Sequence, residues 1–199
     1  VRLGNMQPLD THDTARFATN AGPGTIPLAV GLSMTMPGLP VVFAGDEFGL
    51  VGVDGEASRT PMPWGSEGEP EVAARLALYR ELVRLRREHP VLATGGMRWV
   101  HVDDQAIAFV RESESESVLV GASRGDLDLE LSALAVPGAA RARELFGEAT
   151  LATADDGAVL LTADGPVFAA WALPGVQVPG AGVDAADAAA AADAGAVQA

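Results

Sequence analysis

Residues 21–45 read AGPGTIPLAVGLSMTMPGLPVVFAG, a run without a charged residue. Its apolarity is that of a membrane span, which takes about 20 residues in a helix whose backbone groups all bond internally. Pro23, Pro27, Pro37 and Pro40, with Gly22, Gly24, Gly31 and Gly38, interrupt it. The run reads instead as a buried helix over 26–36, a Pro37-Gly38 stop and a buried strand over 39–44. Pro27 suits the first helical turn. Val41, Val42 and Phe43 make a strand of the kind covered on both faces.

Outward from this run the chain gives strand, helix, strand, helix. Residues 1–14 form an extended segment running into the polar loop Leu9-Asp10-Thr11-His12-Asp13-Thr14. Residues 45–68 form a long loop rich in Gly, Pro and Asp. Residues 70–89 form the clearest helix. Pro70 lies in its first turn beside Glu69 and Glu71; Arg84, Arg86, Arg87 and His89 close it before Pro90, which suits the helix dipole. Leu78, Leu82 and Leu85 form one apolar stripe, and Leu76, Tyr79 and Val83 its neighbour. Two βα units would leave strand edges open, whereas a parallel sheet is covered on both faces or closed into a barrel. The reading therefore expects a piece of a longer chain. The start, Val1-Arg2-Leu3-Gly4, with no initiator Met and no signal-peptide pattern, points the same way.

Beyond residue 92 the texture changes. Short β-prone runs separated by turn residues cover 97–102, 106–111, 118–122, 127–131, 143–145, 159–162 and 167–171. Regular short strands without helices predict an antiparallel sandwich. The Glu-Ser repeat at 112–117 reads as an exposed acidic hairpin tip. Trp99 and Trp171 read as sandwich core. After residue 173 the chain is almost only Ala, Gly, Val, Pro and Asp, which predicts a disordered tail over 174–199.

The 199 residues carry 13 basic and 27 acidic side chains, a net charge of −14. All the basic residues are arginine. This balance argues against nucleic acid and against an anionic membrane surface as partners. Without cysteine there is no disulfide framework, thiol nucleophile or thiolate metal site. Apolar residues make up 48% of the chain, enough for a core.

Chemistry concentrates in the loop around His12. His89 at a helix end and His101 in a strand have structural explanations. His12 and Asp13 follow a strand, where parallel α/β folds carry function. Asp13 could equally cap the next helix and pair with Arg16. Asp46 and Glu47 are adjacent carboxylates, which point in different directions along an extended backbone. They read as partners of loop backbone or of Arg59. Trp64 reads as loop packing. Asp54 and Glu56 lack the spacing of a calcium loop, so no metal or other cofactor is expected from this chain.

The segment Leu9-Asp10-Thr11-His12-Asp13-Thr14-Ala15-Arg16-Phe17 resembles the fourth conserved region of the α-amylase family of glycoside hydrolases. Gly38-Leu39-Pro40-Val41-Val42-Phe43-Ala44-Gly45-Asp46-Glu47 resembles the segment around that family's eighth barrel strand. Arg59-Thr60-Pro61-Met62-Pro63-Trp64 resembles a loop motif of its α-glucosidase-like and neopullulanase-like branches. The three occur in the family's order, and the resemblance covers residues 1 to about 173.

It implies an α/β part over 1–91, the last two βα units of a (β/α)8 TIM barrel. An antiparallel β-sandwich domain would follow over 92–173. It also implies a retaining α-glycosidase acting on α-glucan oligosaccharides of the maltodextrin or starch type. Asp13 then matches the carboxylate that stabilises the transition state, and His12 a donor to the same sugar. Arg16 would orient Asp13 or contact a sugar. The family's nucleophile and acid/base come from earlier barrel strands. This chain alone is thus expected to be inactive without the N-terminal barrel portion of its parent, in which calcium is possible. A cytoplasmic location follows by analogy with branches that process imported oligosaccharides. Two alternatives stand beside this reading: a non-catalytic carbohydrate-binding or interaction module, and a transglycosylase or isomerase of the same family.

Overall fold

A computed structural model describes residues 4–22 and 24–174. The tail expected from 174 onward lies outside the described residues beyond its first position.

The chain opens with strand β1, Met6–Pro8, helix α1, Phe17–Asn20, and helix α2, Thr25–Thr35. Strand β2, Leu39–Val41, pairs parallel with β1, Met6 opposite Leu39 and Pro8 opposite Val41. Gln7 ties the unit to α2. Its Nε2 donates to Pro37 O at 2.8 Å, and its carbonyl accepts from Ser33 Oγ at 3.0 Å. The strand expected over 39–44 is shorter than its apolar run. Among the described residues only β1 lies beside it, so pairing stops at Val41, and Leu39 and Val42 stay exposed instead of buried on both faces.

Helix α3 spans Pro70–Glu88, with Pro70 in its first turn as expected. Its buried residues are Leu76, Tyr79, Leu82 and Leu85. The two adjoining stripes make one buried face, as expected, except that Val83 is exposed. Arg86 serves a neighbouring helix. Its guanidinium donates to Met34 O at 2.7 Å, Met36 O at 3.3 Å and Gly38 O at 2.6 Å. These are carbonyls at and just beyond the C-terminal end of α2, where intrahelical donors have run out. A short helix α4, Val91–Thr94, leads into the sheets.

Eight strands follow: β3 Gly96–Val102, β4 Ala106–Glu112, β5 Ser117–Ser123, β6 Leu127–Leu131, β7 Arg143–Phe146, β8 Thr150–Thr153, β9 Val159–Ala163 and β10 Val167–Leu173. They form a five-stranded sheet, β3-β4-β5-β10-β7, and a three-stranded sheet, β6-β9-β8, every pairing antiparallel. The larger sheet is the middle layer. Ala106, Ala108, Val110, Leu119, Ala169 and Trp171 face the three-stranded sheet. Phe109, Val118, Val120, Ala122, Phe168 and Ala170 face α2, α3 and α4. This explains why β4, β5 and β10 read as continuous apolar runs. Strand β6, Leu-Asp-Leu-Glu-Leu, covers one face only and alternates buried and exposed.

Three sequence expectations change here. Strand β8, Thr-Leu-Ala-Thr, was not anticipated, because an edge strand with one large apolar residue leaves little pattern. Trp99 is 46% exposed on edge strand β3 and meets Phe109 by its edge at 5.5 Å, so it lies outside the sandwich core, unlike Trp171. The hairpin tip at 112–117 is structural at one end. Glu116 Oε1 lies 2.5 Å from His89 Nδ1, and its Oε2 accepts the Val91 N–H at 3.2 Å. No helix among the described residues is long and apolar enough to cross a membrane.

Helix α2 approaches the middle sheet at Gly31. A Cβ there would sit 2.4 Å from ring carbons of Phe168. Helix propensity alone would reward alanine in place of a mid-helix glycine by about 1 kcal/mol. Overpacking costs about 1–3 kcal/mol, and the aromatic ring is itself packed. Gly31→Ala should therefore destabilise the chain, seen as a lower urea midpoint at unchanged slope. A raised midpoint would show that α2 is free to lift off the sheet.

Candidate functional site

The loop after β1 is built from its own hydroxyls. Thr11 N–H donates to Thr14 Oγ1 at 2.9 Å, and Asp13 N–H to Thr11 Oγ1 at 3.2 Å. Thr14 N–H returns to Thr11 O at 3.2 Å. Such side chain–backbone bonds let short polar residues fix a turn without secondary structure.

A second loop, between β2 and α3, braces the first. Arg16 N–H donates to Gly52 O at 2.8 Å, and Ser58 Oγ lies 2.8 Å from Thr14 O. The backbones touch at Gly55, where a Cβ would come 2.9 Å from Asp13 Cα. Only a residue without a side chain lets the main chains approach this closely.

His12 and Asp13 come together at the exposed tip. Asp13 Oδ2 lies 3.3 Å from His12 Nε2, and Oδ1 accepts from Arg59 Nη2 at 3.1 Å. Arg59 Nε also donates to His12 O at 3.1 Å, so one guanidinium grips both residues of the pair. Both carboxylate oxygens of Asp13 are thus engaged, yet its side chain remains 69% exposed. The arrangement is a carboxylate fixed in direction and open on its outer side.

Arg16 lies elsewhere. Its side chain is 1% exposed and turned inward. Nη1 pairs with Asp46 Oδ1 at 2.7 Å, Nη2 donates to Ala44 O at 2.8 Å and Ser58 O at 3.0 Å, and the guanidinium lies 3.7 Å from the Phe43 ring centroid. The expectation that Arg16 orients Asp13 or meets a sugar is corrected. The planar fork suits a buried site lined by carbonyls, and Arg59 takes the place beside Asp13. The sequence expectation for Asp46 and Glu47, loop backbone or Arg59, holds in its backbone form for Glu47, and neither carboxylate meets Arg59. Asp46 belongs to Arg16, and Glu47 Oε2 accepts the Gly45 N–H at 2.8 Å.

Burial pushes the Asp46 carboxyl up to about 6; the Arg16 hydrogen bond opposes the shift and the nearby Asp10 charge adds to it. Asp10 was missed as a site residue. Its signal in sequence is slight, an acidic residue after an apolar one where the strand ends.

Trp64 is 76% exposed and lies edge-to-face with Phe48, ring centroids 6.0 Å apart, so it is not the packed loop residue expected. A groove of about 560 Å³ runs behind the loop, lined by residues including Leu9, Asp10, Phe17 and Thr25, with His12 and Asp13 outside it. Among the described residues no three acidic or histidine side chains converge as a metal site would need.

No family model matches the chain. It is 39% identical over 114 residues to neopullulanase 2 of Thermoactinomyces vulgaris, covering 55% of this chain and 19% of that protein. It is 34% identical over 116 residues to a cyclomaltodextrinase of a Bacillus species, covering 56% and 20%. The chain thus spans about a fifth of the length of the curated relatives it matches. Among solved structures it resembles the α-amylase of Geobacillus thermoleovorans complexed with acarbose. The TM-score is 0.73 at 22% identity, covering 86% of this chain and 39% of that one. At that identity the likeness speaks for the fold.

Proposed function

We infer that this chain, a relative of neopullulanase and cyclomaltodextrinase and similar to the C-terminal part of α-amylase-family glycoside hydrolases, contributes one catalytic carboxylate to a retaining α-glycosidase. In this reading residues 1–91 are the last two βα units of a (β/α)8 barrel, and 92–173 are its antiparallel β-domain. The parallel pairing of β1 with β2 supports the first part, and the layered antiparallel sheets support the second. The substrate is an α-glucan oligosaccharide of the maltodextrin type, handled in the cytoplasm.

One observation carries the reading: in the loop after β1, Asp13 has Arg59 on one carboxylate oxygen and the His12 ring beside the other, while its outer side stays open. Glycosidic cleavage passes through an oxocarbenium-like state. A carboxylate fixed beside that centre stabilises positive charge that the ground state lacks, which is what speeds the step. His12, whose ring flanks the same carboxylate, is the donor to the sugar. Arg59 positions Asp13. The nucleophile and acid/base come from residues outside these 199, so the chain by itself turns over nothing.

Incubation with maltoheptaose tests this. The 199-residue chain should release no reducing sugar, and the longer parent should release products first seen by proton NMR as α-anomers. Turnover by the chain alone, or β-anomers from the parent, would overturn the assignment.

Arg59 makes a separate prediction. Arg59→Met removes both its bonds to the His12-Asp13 pair, and freeing the carboxylate by about 1 Å should cost the parent about 10- to 100-fold in kcat. Exposed ion pairs are worth about 0–1 kcal/mol, so its melting should barely move. An unchanged kcat would remove Arg59 from the site.

A further inference from the structure

Under the loop that carries His12 and Asp13 lies a group of charges that the proposed chemistry leaves unused. The loop opens at Asp10 and closes at Phe17, and Asp10 itself makes the closure: Oδ2 accepts the Phe17 N–H at 2.6 Å. Asp10 is 5% exposed, and its other oxygen, Oδ1, is buried without a donor. An unmet acceptor of this kind costs about 1–3 kcal/mol, and more when charged.

The carboxyl of Asp46 faces the same small space as Asp10. Both line one small cavity, closed over by Leu9, Phe17, Ile26 and Tyr79 and with about 10 Å³ of room, at most a single water. Arg16 spends its hydrogen bonds on Asp46 and on the carbonyls of Phe43, Ala44 and Ser58, and gives none to Asp10. The other ionisable groups facing the pair are Arg75 and Tyr79 from α3 and Glu47 beside Asp46. Tyr79 is held protonated by burial, with Asp46 adding to the effect.

Two carboxyls facing a cavity this small, one of them with an unmet buried oxygen, call for a donor between them. We propose that Asp10 and Asp46 share one proton, and that this proton closes the base of the His12-Asp13 loop, with Asp10 as its positioning residue. The proton comes from solvent and no other group changes. Burial pushes Asp46 up to about 6, the direction of a carboxyl that keeps its proton. A carboxyl raised in the folded state stabilises the fold fully below its unfolded value of 3.8 and loses that contribution as pH rises through about 6. The loop should therefore be tighter near pH 5 than near pH 7.5. None of this depends on the glycosidase reading, and its readouts involve no turnover.

Carboxyl-detected NMR of the isotope-labelled full chain tests the proposal, with hydrogen exchange at the Phe17 amide as the second readout. The expected result is one step near pH 6 moving both the Asp10 and the Asp46 resonance. Phe17 protection, corrected for intrinsic exchange, should fall about tenfold or more from acid to neutral pH. Asp10→Asn supplies a permanent donor to Asp46 and keeps an acceptor for Phe17, so its protection should stay high at both pH values. Asp10→Ala should lose it at both. Carboxyls that finish titrating below about pH 5, or Phe17 protection that does not change with pH, would overturn the shared proton in favour of a water held between two carboxylates. Should the variants fail to fold, the titration of the unsubstituted chain decides by itself.

Discussion

If the proposed function holds, Asp13→Asn in the longer parent is expected to lower kcat on maltoheptaose by about 100- to 1000-fold, the usual loss when one preorganised electrostatic partner of a transition state is removed. The substitution is nearly isosteric. Its amide oxygen still accepts from Arg59 Nη2, and the exposed tip leaves the loop's other bonds in place. What disappears is the negative charge facing a centre that becomes positive only on the way to the transition state. The loss should thus fall on kcat, with KM changed far less. Stability should move by less than about 1 kcal/mol, since the Arg59–Asp13 pair is exposed at both ends. An unchanged melting curve together with a collapsed kcat separates a catalytic role from a structural one. A kcat within about threefold of the unsubstituted enzyme would remove Asp13 from the chemistry.

The largest expected effect on folding belongs to Arg111, a buried cation whose hydrogen bonds all go to backbone carbonyls. Its guanidinium donates to Thr35 O at 2.5 Å, Leu92 O at 2.7 Å, Gly95 O at 2.8 Å and Gly96 O at 3.0 Å. One side chain on β4 thus joins the end of α2, α4 and the start of β3. Burial, with Arg86 nearby, holds the guanidinium down to about 10, so it is charged at neutral pH but at a cost in lost hydration. That cost argues that an apolar replacement regains part of what it loses. The four carbonyls argue the other way, because each is left in a dry site without a donor. The carbonyls outnumber the one relieved charge, so Arg111→Met should cost about 3–5 kcal/mol in urea unfolding. Arg111→Lys should do little better, since an ammonium is more strongly hydrated and has only three donors. A loss below about 1 kcal/mol for methionine would show that the carbonyls find water instead.

The antiparallel half of the fold was readable because turn residues bracket apolar runs. Strand β6 shows its one-sided burial in every second letter. Strand β8 offered one leucine between threonines and so no pattern. The short β2 was harder in another way, since an apolar run gives the affinity for burial and not the neighbour that supplies it.

At the candidate site, motif resemblance singled out His12 and Asp13, and their adjacency in space follows from adjacency in sequence. Which arginine meets them was not. Arg16 and Arg59 are chemically identical letters, and what separates them is that Phe43, Ala44 and Ser58 make a pocket for one guanidinium under the loop. The cavity that Asp10 and Asp46 share was equally hidden, because two loops and α3 meet to line it.

The middle sheet also bears on how strand alignment is policed. Polar residues on an outer face usually forbid a one-residue slip, because slipping would drown them. Strands β5 and β10 carry apolar side chains on both faces, so hydropathy alone tolerates the shifted pairing. The veto must come from size and shape at single positions. Gly121 is one, since a Cβ there would stand 3.3 Å from Leu161 and 3.5 Å from Trp171. Its neighbours in β5, Val120 and Ala122, face the helices; in that place an alanine would already crowd Leu161, and the two methyls of valine would need more room still. Arg111 does the same for β4, since in a slipped strand its charge would point into the aliphatic layer between the sheets. Alignment here is kept by an absence at one position and a charge at another, and variation at those two letters should be far narrower than at the valines and leucines around them.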